Sequence, residues 1–301
     1  MTVPRHPILA CLAIAVGVLT VSPSLGQQAV FRAGVEVVRL DVLVTNRGRP
    51  VTGLTAGDFE VTDNGVSQNV ALASTAGGID VVLALDTSSS VAGERLRHLK
   101  EAGRRLVGSL APEDTITLLT FSDRLALVAE GSSDFKSIAN SLERLEAAGR
   151  TAVRDAAFAA ASLAPQARRS VLVVFTDGAD NSSWLSEDAV VESVRRLQVV
   201  VYVVADSKLD PRARSFVKSL VEAGGGDLLL TARRDLAQDF AGVLEEFRSR
   251  YLLSYTPTGV RRDDGWHRVG VKLRRKTGVV KAREGYYAAR GGSSEPPSSV
   301  C

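Results

Sequence analysis

The chain has 301 residues, 45% of them hydrophobic and 24% charged, a composition that excludes disordered, collagen-like and polytopic membrane proteins. Lysine and arginine number 37 against 34 aspartate and glutamate, a formal net charge of +3, so bulk electrostatics gives no sign of a nucleic-acid partner. Two cysteines (Cys11, Cys301) and three histidines (His6, His98, His267) exclude a disulfide scaffold and a structural Cys/His zinc site, which leaves oxygen as the ligand for any metal.

Residues 1–26 carry one charge, Arg5, then an apolar run over residues 8–21 and the small-residue ending Ser24-Leu25-Gly26. This order predicts a secretory signal peptide cut after Gly26, because 14 apolar residues fall short of the roughly 20 that cross a bilayer. The protein is therefore expected to be exported, to the periplasm, the cell surface or the medium, with membrane association not required. Residues 35–75 read as β structure: Val38, Leu40, Val42 and Val44 alternate with Arg39 and Asp41, and residues 46–50 form a turn. Strands at residues 59–62 and 66–72 flank Asp63-Asn64-Gly65, whose Asn-Gly supplies the positive φ angles of a type I′ hairpin.

At Ile79 the pattern changes to a continuous apolar run, residues 79–85, as in a parallel strand buried on both faces. A helix at 94–110 follows, then strands at 115–121 and 125–129, helices at 135–145 and 152–163, and a strand at 171–176. Helix 186–197, strand 199–204, helix 211–222, strand 227–230 and helix 235–250 complete the series. This alternation predicts a doubly wound α/β domain over residues 79–250, with a mostly parallel sheet and one short antiparallel edge strand. Strand periodicity returns at 251–255, 269–273 and 279–282. Since isolated hairpins are marginal, residues 35–75 and 251–288 are expected to pack together as a β-sandwich-like domain into which the α/β domain is inserted. The alternative is two separate β attachments on the sheet edges. Residues 289–301 are Gly/Ser/Pro-rich and predicted to be disordered.

Ligands of open α/β sheets bind at the carboxyl ends of the strands, and here those ends are rich in oxygen. The first apolar strand runs into Asp86-Thr87-Ser88-Ser89-Ser90, the strand at 171–176 into Asp177-Gly178-Ala179-Asp180, and Gly149-Arg150-Thr151 opens a helix. Two carboxylates and three hydroxyls form a hard-oxygen set suited to Mg²⁺ or Mn²⁺ and not to zinc or copper.

With D-x-S-x-S, a later threonine and T-D-G-x-D at successive strand ends, the chain resembles von Willebrand factor A domains with a complete metal-ion-dependent adhesion site. The resemblance implies that Asp86, Ser88, Ser90, Thr151 and Asp177 hold a metal directly or through water, Mg²⁺ with Mn²⁺ or Ca²⁺ as alternates. It also implies that a protein partner's Asp or Glu carboxylate completes the shell. The stretches Val61-Thr62-Asp63-Asn64-Gly65, Tyr255-Thr256-Pro257 and Arg283-Glu284-Gly285-Tyr286-Tyr287-Ala288 are similar to exported Acidobacteria-type A-domain-related proteins.

Asp180 is expected to brace the Asp177 turn, and Asp123 to serve a loop or a second layer around the metal. Trp184 reads equally as an exposed partner contact or a core residue. No general base is supplied beside the metal, since His98 falls on the first helix and His267 in the C-terminal β segment, both read as surface residues; binding without catalysis is expected. A haloacid-dehalogenase-like phosphatase needs a second Asp two residues after its nucleophile, where this chain has Ser88. Dinucleotide-binding and serine-hydrolase glycine motifs are absent. A structural envelope or assembly factor acting through the β domain is the remaining alternative. Residues 261–290 hold ten basic and three acidic residues, a local excess that suits anionic lipid headgroups, polysaccharide or an acidic protein; the alternation around Lys272 and Arg274 favours a solvated strand face over these.

Overall fold

Strand β1 (Val38–Asn46) buries Val38, Leu40 and Val42 and leaves Arg39 exposed, the alternation of a strand with one face on a core. The protein is described here by a computed structural model that covers residues 37–177, 180–231, 236–261 and 265–288, so the expected signal peptide and C-terminal tail lie outside the described residues. Arg47 and Gly48, at φ 51° and 74°, turn the chain into β2 (Arg49–Pro50). Next come β3 (Phe59–Asp63) and β4 (Val66–Gln68), joined through Asn64 and Gly65 at φ 46° and 83°, the mirror-image turn that Asn-Gly favours. β5 (Ala71–Leu72) follows.

The α/β portion runs β6 (Asp80–Asp86), α1 (Glu94–Gly108), β7 (Thr115–Phe121), β8 (Leu125–Ser132), α2 (Phe135–Glu143), α3 (Val153–Ser162) and β9 (Ser170–Thr176). It continues with α4 (Glu187–Arg196), β10 (Val199–Asp206), α5 (Pro211–Gly224), β11 (Asp227–Thr231) and α6 (Leu236–Arg248). Every residue of β6 and of β9 is buried, because α3, α4 and α5 cover one face of the sheet and α1, α2 and α6 the other. The strand order is β11-β10-β9-β6-β7-β8, parallel except for β8 at one edge. The chain leaves β6 toward β7 on one side and returns through β9 on the other, so the topological switch lies between β6 and β9.

Beyond α6 the chain enters β12 (Tyr251–Tyr255), β13 (Trp266–Leu273), β14 (Val279–Lys281) and β15 (Gly285–Tyr287). One antiparallel sheet is ordered β14-β1-β12-β5, with β2 added to β1, and the other β15-β13-β3-β4. Their inner faces share a core that includes Leu40, Val42, Phe59, Val61, Leu253 and Val269. Strands from both ends of the chain thus form one sandwich beside the doubly wound sheet. Two details depart from the sequence reading. Residues 66–72 are not one strand: β5 leaves β3 and pairs with β12 in the opposite sheet. Gln68 fixes this corner, donating to the Thr258 carbonyl at 3.0 Å and accepting from the Thr258 N–H at 2.9 Å. β15 was not anticipated, and it closes the edge of β13.

His267 is also not a surface residue. It is 2% exposed, with Nδ1 2.9 Å from an oxygen of fully buried Asp63, whose other oxygen accepts from Tyr255 at 3.0 Å and Tyr286 at 2.8 Å. Asp63 ends β3 while its partners stand on β12, β13 and β15, so one carboxylate ties the N-terminal hairpin to three C-terminal strands. Asp63→Ala removes the acceptor shared by three buried groups and is expected to lower stability by about 3–5 kcal/mol. Urea denaturation followed by tyrosine and tryptophan fluorescence checks this.

Candidate metal centre

The carboxyl ends of β6 and β9 meet at the switch point. Asp86, the last residue of β6, is fully buried; Oδ1 accepts from the Ser88 N–H at 2.9 Å and Oδ2 from the Thr176 hydroxyl of β9, also at 2.9 Å. From there a chain of oxygens leads outward: Ser88 Oγ lies 2.9 Å from Ser90 Oγ, and Ser90 Oγ donates to Asp177 Oδ1 at 2.7 Å. The loop before α3 is stitched to the same place, with the Ser89 N–H on the Gly149 carbonyl at 3.0 Å and the Ala148 N–H on the Thr87 carbonyl at 2.8 Å. Thr151, 3% exposed, is held between this loop and the turn after β9, its N–H on Asn181 Oδ1 at 2.9 Å and its carbonyl accepting from the Asn181 N–H at 3.0 Å. The structure therefore gathers the loops that carry Asp86, Ser88, Ser90, Thr151 and Asp177 at one end of the sheet.

Residues 81–179 match the family model described as the von Willebrand factor type A domain. The chain carries a von Willebrand factor type A domain. Its structure is similar to that of a von Willebrand factor type A protein from Catenulispora acidiphila, at TM-score 0.53 and 13% identity over 80% of this chain and 74% of that one. It is also similar to proximal thread matrix protein 1 of the mussel byssus with a zinc-occupied adhesion motif, at TM-score 0.50 and 17% identity over 58% of this chain and 47% of that one. Among curated proteins, inter-alpha-trypsin inhibitor heavy chain H1 of Bos taurus is 23% identical over an alignment of 130 residues that covers 38% of this chain and 14% of that protein.

Around the A domain's oxygen cluster stand residues that the sequence did not reveal. Arg95, in the first turn of α1, donates to the Ser90 carbonyl at 2.8 Å and pairs with Asp177 Oδ2, leaving the Asp177 side chain 1% exposed. A basic residue in the first turn opposes the helix dipole, which is the signal that a specific anion faces it. Thr176 and Asn181 were likewise unforeseen, the one oriented by Asp86 and the other orienting Thr151.

The outer residues fall into place one by one. Asp180 receives the Arg154 N–H at 2.8 Å and the Ser183 N–H at 3.1 Å, so it caps the start of α3 and holds the following loop. Burial raises its carboxyl, but the Ser183 and Arg154 hydrogen bonds outweigh this and hold it below the usual range. Asp123 accepts from Ser122 Oγ at 3.1 Å and lies against Gly149, where φ is 84° and an added Cβ would come within 2.2 Å of the carboxylate. Trp184 is 96% exposed, its backbone N–H anchored to Asp155 at 2.9 Å.

The donor set fits a hard cation. Among the described residues no three His, Cys, Asp or Glu side chains come together, so the oxygens here are two carboxylates and neutral hydroxyls. Asp86 has no basic side chain in ion-pair contact among the described residues, and burial, aided by the charge of Asp177, pushes its carboxyl up to about 6 against the pull of the Ser88 and Thr176 hydrogen bonds. A folded-state value above the ordinary 3.8 means that stability is fully present at low pH and is lost as pH rises through about 6. In chelator, Asp86→Asn is therefore expected to gain about 2 kcal/mol on wild type between pH 4 and pH 8. Urea denaturation across that range reads the gain.

Proposed function

We propose that this chain is an exported, non-catalytic binding protein that holds a divalent cation, Mg²⁺ first, at Asp86, Ser88, Ser90, Thr151 and Asp177, and captures a partner protein through an Asp or Glu carboxylate. The observation that carries this reading is Asp86, a buried carboxylate with no basic partner among the described residues, at the inner end of a row of hydroxyls. Such a group costs several kcal/mol to keep charged unless a cation meets it. All-oxygen donors favour Mg²⁺, Mn²⁺ or Ca²⁺ over zinc, whatever ion occupies the mussel protein's site. When bound, the ion supplies Lewis acidity toward an incoming oxygen, since two carboxylates and neutral hydroxyls leave it electron-poor.

The residues of this chain set the terms of that capture. Asp86 gives the buried charge, Ser88 and Ser90 contribute neutral oxygens, and Thr151 and Asp177 close the set from the neighbouring loops. Arg95 competes with the ion for Asp177 and lowers the site's affinity. Trp184, on the loop after the Asp177 turn, offers a rigid aromatic surface of the kind that anchors protein partners. For location, the apolar N-terminal run supports export, and among the described residues no helix is long and apolar enough to cross a membrane.

Calorimetric titration of Mg²⁺ and Mn²⁺ is expected to give one ion per chain, affinity at least tenfold weaker in Asp86→Ala, and affinity several-fold tighter in Arg95→Ala. Equal affinity in wild type and Asp86→Ala would overturn the site. A partner captured with Mg²⁺ should be released by chelator; retention in chelator would instead assign binding to the β sandwich.

A further inference from the structure

At the opposite end of the sheet from the oxygen cluster, a cavity of about 40 Å³ opens between the A domain and the β sandwich. Its lining includes Arg39 and Asp41 of β1, Arg168 and Arg169 at the start of β9, and Arg283, which follows β14. Four guanidiniums thus face one carboxylate. Arg169 is matched by Asp41, and Arg168 by Asp80 at 3.2 Å. Among the described residues, Arg39 and Arg283 meet only backbone carbonyls: Arg39 donates to Ala167 at 3.3 Å, and Arg283 to Gly285 at 2.6 Å and Arg195 at 2.7 Å. A guanidinium has five N–H donors, so these bonds leave most of the donors of Arg39 and three of Arg283 unused.

Arg283 belongs to the basic stretch for which the sequence favours a solvated face, yet it turns inward. Lys272 and Arg274 are exposed, whereas burial weakens the charged form of Arg283 and pulls its pKa down to about 10, with Asp41 opposing the drop. Its position is fixed by backbone packing: Gly225, the left-handed cap of α5 at φ 70°, lies so close that an added Cβ would come within 2.4 Å of the Arg283 nitrogen. A cation held by its neighbours in a partly desolvated cavity, with spare donors and, among the described residues, no carboxylate in contact, is poised for an anion.

We infer that this cavity binds a single small oxyanion of the phosphate or sulfate class, gripped by Arg39 and Arg283 with Arg168 and Arg169 beside them. By a measure in which one water takes about 10–15 Å³, the cavity holds a few water-sized groups, the scale of one tetrahedral oxyanion and not of a nucleotide or sugar. Guanidinium forks match the paired oxygens of such ions, and the excess of positive charge favours a dianion over a lone carboxylate. The bound ion joins β1, the start of β9 and the segment after β14, and so fastens the sandwich to the A domain.

The test is a titration of the full chain with inorganic phosphate and with sulfate, in chelator and at ionic strength held constant with chloride. Expected are saturable binding of one ion per chain by calorimetry and a matching rise in Tm. Both should be retained in Arg95→Ala and weakened at least tenfold in Arg39→Gln and Arg283→Gln. If Arg283→Gln fails to fold, the exposed position of Arg39 keeps the question decidable. A Tm rise matched by chloride alone, or phosphate affinity unchanged in Arg39→Gln, would overturn the inference.

Discussion

The constraint on which the candidate site depends is the burial of Asp86 at the end of a strand with no exposed residue. β6 lies at the centre of the parallel sheet with helices on both faces, so the first place its chain can meet polar groups is its carboxyl end. There the Ser88 N–H and the Thr176 hydroxyl give Asp86 two hydrogen bonds, enough to orient the carboxylate but not to balance its charge. The row runs from that buried charge through exposed Ser90 to Asp177, whose side chain is covered, and the loop before α3 is tied against it by backbone hydrogen bonds. Cation affinity in this view is a property of the sheet: a centre-strand carboxylate at a switch point has few other ways to be satisfied.

The A domain is seated by a second buried charge. Arg250 connects the end of α6 to the start of β12 and is among the largest fully buried side chains. Its guanidinium donates to the Tyr202 hydroxyl of β10 at 2.9 and 3.0 Å and to the Gly225 carbonyl at 2.8 Å, while the Tyr202 hydroxyl in turn donates to Glu246 at 2.6 Å. Arg169 adds a bond to Asp41 at 2.8 Å and stacks over Phe247 at 4.7 Å. The chain thus passes from one layer to the other through a polar lock, and β1 reaches the same lock from the other end of the sequence.

Much of this was legible in the sequence, and the reasons differ by feature. Continuous apolar runs reveal β6 and β9 because both faces are buried, and Asn64-Gly65 reveals its hairpin because few residue pairs accept two positive φ angles. The D-x-S-x-S segment and the T-D-G turn were visible because they are local in sequence. What stayed hidden depends on partners far along the chain. The burial of His267 follows from Asp63, 204 residues away, and the seat of Arg95 from Asp177, 82 residues away. β15 and β5, of three and two residues, are too short to show a period. Arg283 looked like its solvated neighbours because nothing local separates an arginine in water from one turned against a helix end.

The two ends of the sheet differ chemically because of the direction of the helices. In a doubly wound fold the crossover helices run against the strands, so helix N-termini gather at the carboxyl end of the sheet and C-termini at the amino end. Free N–H groups and positive dipole ends at the first favour carboxylates: Asp180 takes the Arg154 N–H at the start of α3. Free carbonyls at the second favour guanidiniums, and three helix ends show it. Arg283 donates to Arg195 of α4, Arg250 to Gly225 capping α5, and Arg169 to Phe247 of α6. Each carbonyl occupies only one or two of an arginine's donors, so satisfying the helix ends concentrates more positive charge at the seam than its carboxylates neutralise. The same topology therefore leaves, among the described residues, a carboxylate without a basic partner at one end of the sheet and arginines without a carboxylate at the other.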